Sequence, residues 1–267
     1  MPTLSQLAIY PIKSCSQIPL TEAISGPFGL EMDRRLMLVD NNGNMLTQRK
    51  HARMCLIHCA LENSLLTVTA HGKHPLIIET IDPTHTTRVT VWDDSCNAID
   101  CGNEAAKWFS DFLKTSARLV YFPEEEIRQV DLSYANKGDI TAFSDGFPYL
   151  LISQASLDDL NSRLVTPIEM KRFRPNLVVA GTDAFAEDNW KRFRIGDITF
   201  RVVKPCSRCV IPSIDPATAK KTADPVKTLA SYRMRDNNIY FGQNVIAQGT
   251  GTLKVGMDIE ILEIDNS

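Results

Sequence analysis

Two cysteines three positions apart with an arginine between them, in Pro205-Cys206-Ser207-Arg208-Cys209-Val210-Ile211, are the richest chemical signal in the chain. A thiol binds metal or attacks as the thiolate, and a neighbouring cation such as Arg208 favours that form. A thioredoxin-type redox pair requires a helix directly after the motif, which Pro212 and Asp215-Pro216 oppose. A zinc half-site needs two further ligands, and Cys55/Cys59 or Cys96/Cys101 stand at unusual spacing for that role. A thiolate on a softer metal is the third reading, and inert structural cysteine the fourth. Lys13-Ser14, in Tyr10-Pro11-Ile12-Lys13-Ser14-Cys15, offers an ammonium, a hydroxyl and backbone N–H groups to a phosphate, or is a plain surface lysine. Asp33-Arg34 reads equally as part of an anion site or as an exposed ion pair. In Phe173-Arg174-Pro175-Asn176 the proline fixes the backbone, so Arg174 and Asn176 leave a strand end in set directions. From Lys171 to Arg208 there are nine basic and four acidic residues, a surplus that suits a small anionic ligand or a solvated face.

The elements that must position these residues read as mostly β. Short β-branched or alternating runs occur at Leu4 to Tyr10, Leu36 to Asp40, Ser64 to Ala70, Thr87 to Trp92 and Arg118 to Phe122. Others follow at Leu177 to Ala180, Ile198 to Val203 and Asp258 to Leu262, with turn signals such as Asn41-Asn42-Gly43 and Asp82-Pro83 between runs. Two helices are expected. Asn103 is positioned to cap one that carries Trp108, Phe109, Phe112 and Leu113 on a single face, and Ser153 to cap another through Leu157, Leu160 and Leu164. At 267 residues, 43% hydrophobic and 23% charged, the chain is long enough for one large or two modest domains, divided near 115 to 122. A net charge of −3 argues against nucleic-acid coating. No apolar run approaches the ~18 residues of a membrane span, and no signal peptide is visible, so a cytoplasmic protein is expected. An odd count of seven cysteines without an export signal speaks against a disulfide framework. There is no GxGxxG, Walker loop, HExxH or GxSxG, and all five histidines lie within the first third.

Taken in order, Tyr10 to Cys15, Asp33-Arg34, Phe173 to Asn176 and Cys206 to Cys209 resemble the MOSC-domain proteins. The resemblance is to the branch with an N-terminal β-barrel, which includes the mitochondrial amidoxime-reducing components and bacterial YcbX-like proteins. It extends to Phe147 to Ser153, Asp215-Pro216 and Phe241 to Asn244, and so covers nearly the whole chain. It implies a β-rich α+β fold with peripheral helices, an N-terminal barrel-like domain over residues 1–118 packed on a C-terminal MOSC barrel over 119–265. It also implies a molybdenum cofactor, Mo-molybdopterin. Cys209 would be the thiolate on molybdenum and the catalytic residue; Cys206 would support it from behind or serve structure. Lys13, Ser14 and Arg34 would anchor the cofactor's phosphate, with Arg174 and Asn176 on the pterin. Asp145, Gly146 and Phe147 would touch the cofactor mainly through backbone, and Ser207, Arg208 and Asn244 would line the metal loop. Asn244 stands where the animal members place a tyrosine. The chain has no cysteine after Cys209, so the ferredoxin domain fused to some bacterial members is not expected.

The resemblance therefore implies an oxidoreductase that reduces amidoximes, hydroxylamines and N-hydroxylated bases, as a detoxification activity. Electrons would come from a separate donor protein of the ferredoxin or flavodoxin type. The rival is a cofactor carrier or a sulfur-transfer protein working through Cys206 and Cys209, and a structural zinc protein is a third expectation.

Overall fold

The computed structural model describes residues 1–62, 65–79 and 81–265 and is mostly β. The central element is a nine-stranded sheet. In spatial order it runs Ile259–Ile264, Trp190–Ile195, Ile198–Ser207, Asn238–Gln248, Tyr149–Ser153, Leu177–Ala180, Thr3–Ile9 and Ile18–Leu20, with Met234–Arg235 paired to Asn238–Gln248. One neighbouring pair is parallel, Tyr149–Ser153 with Leu177–Ala180. Both strands are apolar apart from Ser153 at the end of the first, and all their residues but Ala180 are buried, as a parallel pair covered by a crossover helix must be. That helix, Gln154–Ser162, starts where Ser153 Oγ accepts the Ser156 N–H at 3.0 Å, so the expected cap is present.

Alternation decides which face of the outer strands turns inward. In Trp190–Ile195 the residues Trp190, Phe193 and Ile195 are buried while Lys191, Arg192 and Arg194 stay at the surface. Phe193 stacks on Phe200 at 5.0 Å, and Tyr149 meets the edge of Phe200 at 5.5 Å. Each such ring removed from water contributes about 1.5–3 kcal/mol.

The first half builds two smaller sheets. Leu36–Val39, Arg118–Tyr121, Asp94–Asp100 and Thr86–Val91 form one, and His58–Glu62, Leu65–Thr69 and Leu76–Ile78 the other. The helix Gly102–Leu113 buries Trp108, Phe109, Phe112 and Leu113 in a core shared with both sheets, which contribute Leu36, Leu38 and Leu119 on one side and Leu66, Val68 and Leu76 on the other, the face expected from their spacing. Its start differs from expectation: Cys101 is the cap position, and Asn103 lies in the first turn. Asp100 takes the capping role instead, its Oδ1 accepting the Gly102 N–H at 2.7 Å, while Asn103 Oδ1 receives Arg118 Nη2. Ser64, the first residue of the expected Ser64 to Ala70 run, lies outside the described residues.

The sheets cross the expected boundary between residues 118 and 119 in both directions. Thr3–Ile9 belongs to the nine-stranded sheet, and Gly251–Lys254 pairs with Glu22–Gly26. Among the described residues no helix is long and apolar enough to cross a membrane.

Candidate active site

Ile198–Ser207 continues as a strand four residues past Val203, and this extension delivers the cysteine loop. Its pairing with Asn238–Gln248 slips between Val202 and Lys204 and again between Pro205 and Ser207. Such bulges bend a strand and re-aim its side chains, and they accommodate the missing N–H of Pro205. Opposite them, Gly242 takes φ +82° and runs so close to the next strand that a Cβ would sit 2.8 Å from the Leu151 carbonyl oxygen. Glycine is required there on both counts.

Across from this loop the first strand ends at Ile9, and the chain turns through Lys13 and Ser14. Lys13 is 5% exposed, which removes the surface-lysine reading. Its Nζ donates to the Phe143 carbonyl at 2.7 Å and to Asp145 Oδ1 at 2.5 Å. Burial pulls the Lys13 ammonium down to about 8, against the opposing pull of Asp145. Burial alone would raise the Asp145 carboxyl, but Lys13 and Arg49 overcome that and hold it below the usual carboxylate range.

Asp33 and Arg34 form a buried pair, not an exposed one. Asp33 accepts the Tyr10 N–H on one oxygen and Arg34 Nη1 on the other, at 2.8 and 2.5 Å. Arg34 also donates to Asn176 Oδ1 and to the Arg174 carbonyl. Arg174 packs over the face of Tyr10 at 4.1 Å and Arg34 at 4.5 Å, so two guanidinium groups share one ring. Ser14, Arg34 and Arg174 all have positive φ, between 49° and 69°. Non-glycine residues held in that region cost free energy and concentrate at functional sites.

These walls enclose a cleft of about 790 Å³ including its open mouth. All twelve residues singled out in the sequence line it: Lys13, Ser14 and Arg34 from the first half, Asp145, Gly146 and Phe147 from the connecting loop, Arg174 and Asn176, then Ser207, Arg208, Cys209 and Asn244. Asn176 is 1% exposed and works mainly as a latch, tying Arg34, the Leu150 N–H and the Ala8 carbonyl together. Arg208 lines the cleft and makes contact with one of the two motif cysteines. Its Nη1 lies 3.1 Å from Cys206 Sγ and its Nη2 on the Phe173 carbonyl, so the cation serves Cys206. All seven cysteines are free thiols.

The structure adds residues that sequence reasoning passed over. Arg128 is 6% exposed and donates to the carbonyls of Ala142, Ser144 and Asp145, fixing the loop that carries Asp145 to Phe147. Arg49 packs on Trp92 at 4.4 Å and pairs with Asp145, whose Oδ1 also receives Trp92 Nε1. Gln48 donates to the Ser14 carbonyl. None sits in a recognisable motif; only the basic or aromatic residue type marked Arg128, Arg49 and Trp92, and nothing in the sequence marked Gln48.

Residues 1–116 match the MOSC N-terminal beta barrel domain and residues 139–260 the MOSC domain. The chain is 37% identical to human mitochondrial amidoxime-reducing component 1, over 97% of its own length and 83% of the relative's. The chain belongs to the MOSC-domain family. This MOSC-domain protein is also 36% identical to human mitochondrial amidoxime reducing component 2, over 95% of the chain and 82% of the relative. Zebrafish molybdenum cofactor sulfurase is 32% identical over 90% of the chain and 31% of that relative's length.

The cleft of this MOSC-domain protein is chemically suited to an anionic, sulfur-rich metal cofactor. Five cations line it, Lys13, Arg34, Arg49, Arg174 and Arg208, and Asp145 is the one acid among its lining residues. Arg208 Nε is buried without a protein partner, which a bound acceptor would relieve. Zinc is a poor fit, because no three His, Cys, Asp or Glu side chains gather to hold a metal among the described residues. The chain after Cys209 forms only a short 3-10 turn, Ile211–Ser213, so the thioredoxin-type reading also fails.

Proposed function

We propose that this protein is a molybdenum-cofactor-dependent oxidoreductase that reduces N-hydroxylated compounds such as amidoximes, hydroxylamines and N-hydroxylated bases. The observation that carries this reading is one cleft with fixed buried cations on one side and a free thiol loop on the other. When bound, the cofactor supplies the two-electron chemistry of N–O reduction. Lys13, Ser14 and Arg34 hold its phosphate; Arg174 and the latch residue Asn176 meet the pterin. The Asp145-Gly146-Phe147 backbone, Ser207 and Arg208 close around it, and Cys209 supplies the soft thiolate ligand. Asp145, held ionised by Lys13, has no proton to give near neutral pH. Substrate enters by an open groove that shares Phe147 and Asn244 with the cleft and adds Trp92 as an aromatic wall. Electrons come from a separate protein of the ferredoxin or flavodoxin type. A cytoplasmic setting and a detoxifying role belong to the same reading.

A second reading is sulfur transfer or cofactor carriage, favoured by the likeness to the zebrafish sulfurase and by the Arg208 contact to Cys206. The separating experiment uses protein made in cells that synthesise the cofactor, wild type beside Cys209→Ala. Near-stoichiometric molybdenum and pterin, with conversion of benzamidoxime to benzamidine by a chemical reductant, is the expected result, and Cys209→Ala loses the conversion. Bound cofactor without any conversion in wild type supports the carrier reading; zinc, or neither metal nor pterin, defeats both.

A further inference from the structure

A second cavity, about 840 Å³ with its mouth, shares Arg174 and Ile211 with the cleft and otherwise has its own lining. Its lining includes the polar residues Ser16, His58, Lys171 and Arg174 and the apolar residues Ile211, Ile214, Pro216 and Ala217. No aspartate or glutamate lines it among the described residues. Asp215, the nearest acid in sequence, is already taken by Arg172 at 2.7 Å and by the N–H groups of Ala217 and Thr218.

Two donors there are buried and lack a partner, Ser16 Oγ and Arg174 Nη2. Ser16 lines this cavity and not the cleft. Arg174 uses Nη1 on the Cys15 carbonyl at 2.6 Å and its flat face on Tyr10, which leaves Nη2 free. Burial lowers its guanidinium, the direction expected of a cation enclosed without a full counter-charge. Lys171 pairs with Glu169 at 2.6 Å, but the two side chains are 37% and 72% exposed, so the pair exchanges at little cost. Buried donors without acceptors are rare in folded proteins and point to an acceptor that belongs in the space between them.

We propose that this cavity binds a small organic anion. Its phosphoryl or carboxylate group meets Arg174 Nη2 and Ser16 Oγ, with Lys171 at the rim, and its flat apolar body lies along Ile211, Ile214 and Pro216. The inference goes beyond the reductase reading and does not depend on it. The occupant is a free metabolite, because Lys13, Ser14 and Arg34, which hold the phosphate of a cofactor in the cleft, do not line this cavity. Arg174 is common to both spaces, so occupancy of one is felt in the other.

Calorimetric titration of the full-length protein, with and without bound cofactor, tests this at constant ionic strength. Guanosine monophosphate and benzoate are the anionic probes, and benzyl alcohol is the uncharged control. Both anions are expected to bind the cofactor-free wild type. Lys171→Gln, which removes a charge-assisted contact, and, separately, Ala217→Glu, which adds a repelling carboxylate, are each expected to weaken them about tenfold. Two variants are used so that a folding defect in one does not decide the outcome. Cofactor-loaded protein is expected to take the probes more weakly, because Arg174 serves both spaces, and equal affinity in loaded and cofactor-free protein overturns the coupling. Absence of anion binding, equal affinity in wild type and both variants, or equal binding of benzyl alcohol overturns the proposal.

Discussion

Lys13 shows how a single buried cation sets a pH window. An unfolded chain keeps a lysine proton to about 10.5, whereas the folded protein holds this one only to about 8. Between those values the unfolded state binds more protons, so this group makes the fold more stable as pH rises through the window. The same rise removes the charge that holds an anion. Affinity of cofactor-free protein for inorganic phosphate should therefore fall as pH passes about 8, and Lys13→Met should flatten that dependence while lowering affinity throughout. Arg128 is the other residue to test. Arg128→Ala leaves the Ala142 and Ser144 carbonyls unpaired, and chemical denaturation should register a loss of about 3 kcal/mol. At this scale the sequence was legible where residues sat in short ordered motifs, as with Lys13, Arg34 and Cys209. Arg128, Arg49 and Trp92 were not legible, because they reach Asp145 and its loop through tertiary contacts with no fixed spacing in the chain.

Among the elements, the paired strands Ile198–Ser207 and Asn238–Gln248 carry the most consequence for the site. Gly242→Ala puts a methyl group against the Leu151 carbonyl and the Ile152 side chain while keeping an unfavourable φ. A loss of about 2–4 kcal/mol in urea unfolding is expected, with reduced cofactor retention, and a neutral substitution would contradict the close approach described above. Ser153→Ala should cost about 1 kcal/mol for the lost cap of Gln154–Ser162. Apolar alternation and capping residues made most of these elements readable in advance. The bulged end of Ile198–Ser207 was not readable, because proline and cysteine carry no strand signal and the pairing is imposed by the neighbour. Asn103 was misread for a related reason: Asp100, three residues earlier, reaches the first helical N–H and moves the helix start forward.

For the whole molecule, the two family domains are threaded through each other's sheets. Thr3–Ile9 completes the sheet of the second half, and Glu22–Gly26 holds Gly251–Lys254. Residues 119–265 expressed alone should therefore lack a folded core by near-ultraviolet circular dichroism, and the intact chain should unfold in one transition when followed by both tryptophan fluorescence and far-ultraviolet signal. Two such transitions would show that the halves are separable. The threading also fixes a sequence of events during synthesis. The first strand leaves the ribosome long before Leu177–Ala180 exists to receive it, and Asn244 is among the last lining residues to be made. Any small molecule presented to the growing polypeptide meets no finished pocket, so filling of the cleft waits until the strand that carries Asn244 has been made and paired.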